Sequence, residues 1–279
     1  PTALRAGGCV EPHLEAAVEF AMARFAKVKP HLYSAGGSVV IVQLENEYSG
    51  NCGSDPKAKQ YMEHLYSLAS ASLGTDVIYT IIGEQHKCFA QDPRVLTTVD
   101  GGLSQDPAGY LQAFAQQKAA NAPGNSARLW TELWDGWFTE WFEDTSQQNK
   151  SSVDVGTAVA AMFAANGSFS LYMAHGGTNF GQWSGAEGGG SGFEPILTSY
   201  DYNAPIGEAG QHTIGSDGGD VFAAVKSAIE KVAGPVAAAE PAPVPRTAYG
   251  KIALPEIAPL LASSDALSTC GTHTVVLDE

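Results

Sequence analysis

The chain is short of positive charge. Fifteen Lys and Arg stand against 30 Asp and Glu, a formal charge of −15 over 279 residues. A surface that acidic repels phosphate backbones and anionic headgroups, which makes nucleic acid and anionic lipid poor partners. Long apolar runs are missing as well. No stretch of about 18 apolar residues exists, so no segment of the sequence spans a membrane. Cysteine is scarce: four residues, at positions 9, 52, 88 and 270, none spaced for zinc. Composition alone reads them as isolated core thiols. An initiating Met is absent, and no charged-then-apolar leader follows Pro1. The expectation is a fragment whose beginning lies upstream. What is present is a globular composition, 44% hydrophobic, long enough for one large domain or two smaller ones.

Apolar residues recur at two periods. Leu14, Val18, Ala21, Phe25 and Val28 predict a helix over 11–28 that Pro30 ends. Further helices are predicted over 55–73, from Asp106-Pro107 onward, over 153–165 and over 219–233, with Gly74 and Gly234 as stops. Between them lie β-branched and aromatic runs: 38–44, 76–82, 94–101, 127–133 and 168–177. A long Gly-rich loop is expected over 181–217. Five strands alternating with helices predict a parallel sheet with helical crossovers, which an open sheet or a barrel would satisfy equally. After Gly234 the segment "PVAAAEPAPVPR" reads as an extended linker. The tail from residue 248 holds short β-like pieces, "GKIAL" and "THTVVL".

Two of the strands end in acids. "VVIVQLENEYSG" carries Glu45, Asn46 and Glu47 after a buried-strand pattern, and "ARLWTELWDGW" carries Glu132 among Trp130, Trp134 and Trp137. An unpaired buried charge is costly, so ionisable groups clustered at the end of a buried strand imply use. In parallel α/β barrels the C-terminal strand ends carry the chemistry. Two carboxylates at two such ends suit acid/base work by one and nucleophilic attack by the other.

Four segments, "VQLENEY", "WTELWDGWF", "LYMAHGGTNFG" and "TSYDYNAP", resemble in order and spacing the signatures of glycoside hydrolase family 35, with the plant and algal members nearest. The resemblance runs from about residue 11 to 233. It implies a (β/α)₈ TIM barrel in which the five strands are strands 4–8, strands 1–3 being absent from this chain. On that reading residues 1–234 are a partial catalytic barrel, 235–247 a linker and 248–279 the start of a β-rich domain. The implied activity is exo-acting hydrolysis of terminal β-galactosyl residues with retention, through two carboxyls about 5–5.5 Å apart. Other exo-β-glycosidase activity of the same family, such as a glucosaminidase, or a non-catalytic sugar-binding remnant, are the alternatives.

The resemblance assigns Glu47 as acid/base and Glu132 as nucleophile. It makes Asn46 the donor to the sugar 2-hydroxyl, and Trp137, Tyr172 and Tyr202 pocket residues, with the Tyr172 hydroxyl on the nucleophile. Glu45 is expected as an ion-paired structural acid, Trp130 and Trp134 as packing or rim residues, and His175 and Asn179 as loop-fixing residues. Ser49 stands where the family has Gly, and Asn203 where it has Asp. Animal members pair cysteines at the positions of Cys52 and Cys88, which implies a disulfide and an oxidising compartment, extracellular, cell-wall, lysosomal or vacuolar. The carboxylate pair suffices for the chemistry, so neither a metal nor an organic cofactor is implied. The expected partner is a β-galactoside glycan.

Overall fold

The computed structural model describes residues 11–48, 52–82, 88–124, 127–143, 149–181, 183–189, 192–245 and 247–253, with backbone only for residues 11–17 and 188–189. Cys9, Cys270, Ser49 and the "THTVVL" piece lie outside these residues. The chain divides into two compact units, Pro1–Val244 and Pro245–Glu279. The described part of the second unit is irregular and exposed, including residues 250–253 of "GKIAL".

The first unit alternates helices and strands: α1 (Glu11–Val28), β1 (Ile41–Gln43), α2 (Pro56–Leu73), β2 (Ile78–Ile82), β3 (Val95–Gly102), α3 (Pro107–Ala120), β4 (Leu129–Trp134), α4 (Ser152–Ala164), β5 (Ser168–Tyr172), a hairpin β6 (Ala186–Gly189) and β7 (Gly192–Pro195), and α5 (Val221–Ala233). The helix starts follow from their caps. The side chains of Asp55, Asp106, Ser151 and Asp220 each accept a backbone N–H from the first turn, satisfying donors that have no partner within the helix.

β1 to β5 form one sheet in chain order, every pair parallel. The sheet curls into a half-barrel, a partial (β/α)₈ barrel. Each parallel step needs a crossover, and the helices supply it. Tyr79, Ile81 and Val95 pack with Met62 and Leu73 of α2. Val99, Trp130 and Leu133 pack with Tyr110 and Phe114 of α3. Val155 and Val159 of α4 meet Val221 and Val225 of α5. This burial is the main force holding the layers together.

Two local features depart from the sequence expectation. The fifth strand, expected to run to 177, stops at Tyr172 because the Met173 N–H donates to Asp135 Oδ1 at 2.9 Å instead of continuing the ladder. The Gly-rich segment 181–217 contains the β6–β7 hairpin, Gly188 pairing with Phe193. Part of the expected linker lies against the barrel: Glu240 accepts from Lys226 Nζ at 2.6 Å, and the Val244 N–H donates to the Ala209 carbonyl at 2.8 Å.

Candidate active site

Both assigned carboxylates lie on the C-terminal side of the sheet: Glu47 is four residues past Gln43, where β1 ends, and Glu132 is in β4. Gln43 pairs with Thr80 and Thr80 with Leu96. Asp100 of β3 pairs with Glu132 of β4. Three strand spacings separate β1 from β4, about 14 Å along the sheet, and the curl shortens the straight-line path. Glu47 sits beyond the end of β1 at φ 44°. That left-handed conformation is strained for a side chain larger than glycine, and such strain gathers at functional sites.

The turn that presents Glu47 is built from its neighbours. Gln43 Nε2 donates to the Glu45 carbonyl at 3.2 Å and to Asn46 Oδ1 at 3.0 Å. The Tyr61 hydroxyl of α2 donates to Glu45 Oε1 at 3.4 Å. Tyr48 is buried, its ring 5.3 Å from that of Tyr61. Cys52 is joined to Cys88, closing a loop of sequence separation 36. The segment after Glu47 is therefore held at Tyr48 and again at Cys52.

Glu132 is half-buried near the end of β4. Burial pushes its carboxyl above the ordinary range, the neighbouring Asp100 adds to the rise, and the Trp134 indole N–H, 3.2 Å from Oε2, opposes it. Residues i and i+2 share a strand face, which is why Trp134 reaches Glu132. Trp134 therefore does more than pack: its N–H stabilises the ionised form of Glu132.

An aromatic wall stands beside Glu132. The ring of Trp137 lies 5.7 Å from Trp134 and 5.8 Å from Tyr202. Tyr202 stacks on Tyr200 at 5.6 Å and meets Tyr172 edge-on at 5.2 Å. Burial raises the Tyr200 and Tyr202 hydroxyls well above the usual phenol range, and Glu132 contributes to both. The Tyr172 hydroxyl is 3.0 Å from that of Tyr200. Trp137, Tyr202 and Asn203 line a cavity of about 310 Å³ with Thr139, Ser199 and Asp201.

Residues 200–203 lie directly on the strand ends. A Cβ at Gly136 would overlap the Tyr202 carbonyl oxygen, and one at Gly176 the Tyr200 carbonyl oxygen. Only glycine permits that approach. Asp135 ties the pieces together: its carbonyl accepts Asn203 Nδ2 at 3.3 Å, its N–H donates to the Tyr172 carbonyl at 3.3 Å, and its Oδ1 holds Met173. The carboxyl is fully buried, and burial pushes it up to about 8. His175 bridges to Ile206, and the Asn179 N–H donates to the Thr198 carbonyl at 2.7 Å.

Asp100, Trp134, Asp135 and Tyr200 were not singled out as site residues by the sequence reading. Signals for them existed. "TTVDGG" repeats the pattern of an apolar strand ending in an acid, and the Tyr-x-Tyr spacing of "SYDY" places two phenols close together.

A curled parallel sheet with carboxylates and an aromatic wall at its C-terminal edge is the arrangement that barrel-type glycosidases use. The comparisons agree with that class. The model of glycosyl hydrolases family 35 matches residues 5–217. The chain is 38% identical over 233 residues to beta-galactosidase 17 of Arabidopsis thaliana, covering 81% of this chain and 31% of that protein. It is 36% identical over 243 residues to beta-galactosidase 8 of Oryza sativa subsp. japonica, covering 84% and 34%. It is 32% identical over 252 residues to the beta-galactosidase of Homo sapiens, covering 88% and 34%. The chain belongs to glycosyl hydrolases family 35, and it spans about a third of the length of these relatives.

Proposed function

We propose that this chain carries the catalytic carboxylates of a retaining, exo-acting β-galactosidase. In the first step Glu132 attacks the anomeric carbon, the bond to the departing oxygen breaks, and Glu47 gives that oxygen its proton. In the second step water attacks the same carbon, Glu47 takes the water's proton, and the ester bond to Glu132 breaks. Asn46 bonds the 2-hydroxyl, and Trp137, Tyr172 and Tyr202 hold the galactosyl ring against an apolar face with hydroxyls at its edge. The observation that supports the reading is the Trp134 N–H on Glu132 with the aromatic wall beside it at the C-terminal end of a curled parallel sheet, Glu47 lying past the end of β1 of the same sheet, in a chain of this family.

The Cys52–Cys88 disulfide supports an oxidising compartment, outside the cell or within a lysosome or vacuole. Residues 1–234 are assigned to the catalytic barrel, 235–247 to a linker and 248–279 to the start of a further domain.

Hydrolysis of aryl β-galactosides by the unsubstituted chain and by Glu132→Gln and Glu47→Gln tests the assignment. Glu132→Gln abolishes the covalent glycosyl intermediate seen by mass spectrometry. Glu47→Gln slows substrates with poor leaving groups far more than those with good ones. An intermediate that persists in Glu132→Gln, or equal slowing of both substrates by Glu47→Gln, refutes the roles.

A further inference from the structure

Two asparagines stand in Asn-X-Ser triplets, Asn149-Lys150-Ser151 and Asn166-Gly167-Ser168. In a chain that matures in the secretory pathway, such a triplet accepts an N-linked glycan where the asparagine reaches solvent. The structure treats the two differently. Asn166 follows α4 and is exposed, as is Ser168 at the start of β5. Backbone alone fixes the turn between them. The Asn166 N–H donates to the Phe163 carbonyl at 2.9 Å and the Gly167 N–H to the Met162 carbonyl at 3.1 Å. This is a Schellman turn, with Asn166 in the left-handed position at φ 54°. A Cβ at Gly167 would come within 2.6 Å of Met162 Sδ and 2.7 Å of the Phe114 ring, so the middle residue of the triplet faces the core. No hydrogen bond among the described residues uses the Asn166 side-chain amide, and a substituent there breaks no contact.

Asn149 is the opposite case. Its Oδ1 is buried without a hydrogen-bond partner among the described residues. It lines the cavity of about 310 Å³ together with Trp137 and Tyr202. Ser151 of the same triplet is committed as the cap of α4, its Oγ accepting the Asp154 N–H at 3.0 Å. A glycan at Asn149 would have to occupy that cavity.

We propose that Asn166 carries an N-linked oligosaccharide and that Asn149 stays bare. The proposal rests on the oxidising compartment read from Cys52–Cys88, not on the hydrolase assignment. The donor is an oligosaccharide held on a lipid diphosphate. A bond forms between Asn166 Nδ2 and C1 of the first sugar as the C1–O bond to the diphosphate breaks. The lipid diphosphate leaves with the electron pair, and one Nδ2 proton passes to a base of the transferase. The glycan departs from the N-terminal end of β5, whereas Glu132 and Tyr172 stand near the C-terminal ends of the parallel strands β4 and β5. The fold therefore carries it without covering the carboxylates.

The full chain, sent through the secretory pathway of cultured plant or animal cells by an added leader, tests the site. Enzymatic release of N-glycans in heavy-oxygen water turns each glycosylated Asn into a mass-labelled Asp. Peptide mapping is expected to find the label at position 166 and none at 149. Ser168→Ala, which spoils the triplet but keeps Asn166, and Asn166→Gly, which suits the left-handed turn, should each yield a chain without glycan. A label at 149, or a glycan that survives either substitution, overturns the proposal. The same maps read the state of the cysteines. No glycan on a chain with Cys52–Cys88 closed overturns the glycosylation site and leaves the compartment reading standing. No glycan on a chain whose Cys52 and Cys88 are free thiols overturns both.

Discussion

Asp135 makes the structure testable through pH. Its carboxyl is fully buried. Oδ1 accepts the Met173 N–H, and Oδ2 has no hydrogen-bond partner among the described residues. Burial favours the neutral acid and raises its pKa from 3.8 to about 8 in the folded chain. A carboxyl with a raised folded-state pKa binds its proton more tightly when folded. Its contribution to stability is full below about pH 4 and is lost as pH climbs to about 8, where folding must hold a buried anion. At 1.36 kcal/mol for each pKa step, the loss is on the order of 5 kcal/mol, comparable to the whole stability of a small domain. Asp135→Asn keeps the shape and the acceptor for Met173 but does not titrate. The urea midpoints of both proteins, followed by tryptophan fluorescence, should be within about 1–2 kcal/mol of each other near pH 4.5, where only the hydrogen-bonding of one atom differs. The variant should become the more stable protein near pH 8.5. The remaining carboxylates titrate in both proteins and cancel in the comparison. A stability difference that stays constant from pH 4.5 to 8.5 would refute the reasoning.

Three further outcomes follow from the same geometry. Asp100 raises the Glu132 carboxyl and the Trp134 N–H lowers it, and in the proposed role of nucleophile Glu132 must be ionised to react. Asp100→Asn should therefore move the acid limb of kcat/KM to lower pH and Trp134→Phe should move it higher; shifts of the same sign would contradict the assignment. Opening the Cys52–Cys88 loop, of separation 36, with Cys52→Ser and Cys88→Ser together should cost roughly 3–4 kcal/mol in denaturant unfolding, and an unchanged midpoint would show that the crosslink constrains nothing. Gly176→Ala drives a methyl into the Tyr200 carbonyl; it should cost about 2–4 kcal/mol and raise KM for aryl galactosides, whereas native stability and KM would show that residues 200–203 do not rest on the segment after β5.

The elements that carried their own punctuation were legible in the sequence. Asp106-Pro107 opened α3 where expected, and Gly74 and Gly234 closed α2 and α5. Alternation of strands and helices gave parallel pairing but not curvature, because curl arises from twist accumulated over several strands rather than from any one of them. β5 was read five residues too long because the group that ends it, Asp135, lies 38 residues away in the chain. The hairpin β6–β7 escaped because its glycines carry no period-two pattern.

The site divides in the same way. Glu47 and Glu132 stand out in the sequence because each follows an apolar strand pattern, whereas Tyr200 acquires its place only through contact with Tyr172. That contact bears on Tyr172 itself. Its hydroxyl and that of Tyr200 are 3.0 Å apart, and each phenol has one proton. In the proposed roles, where Tyr172 donates to Glu132, Tyr200 must donate to Tyr172, and the orientation at Glu132 depends on a residue one step removed from it. Such a chain polarises each bond along it in a poorly solvated setting. Burial keeps Tyr200 protonated far above neutral pH, so the donor at the head of the chain persists across the pH range in which Glu132 must be ionised.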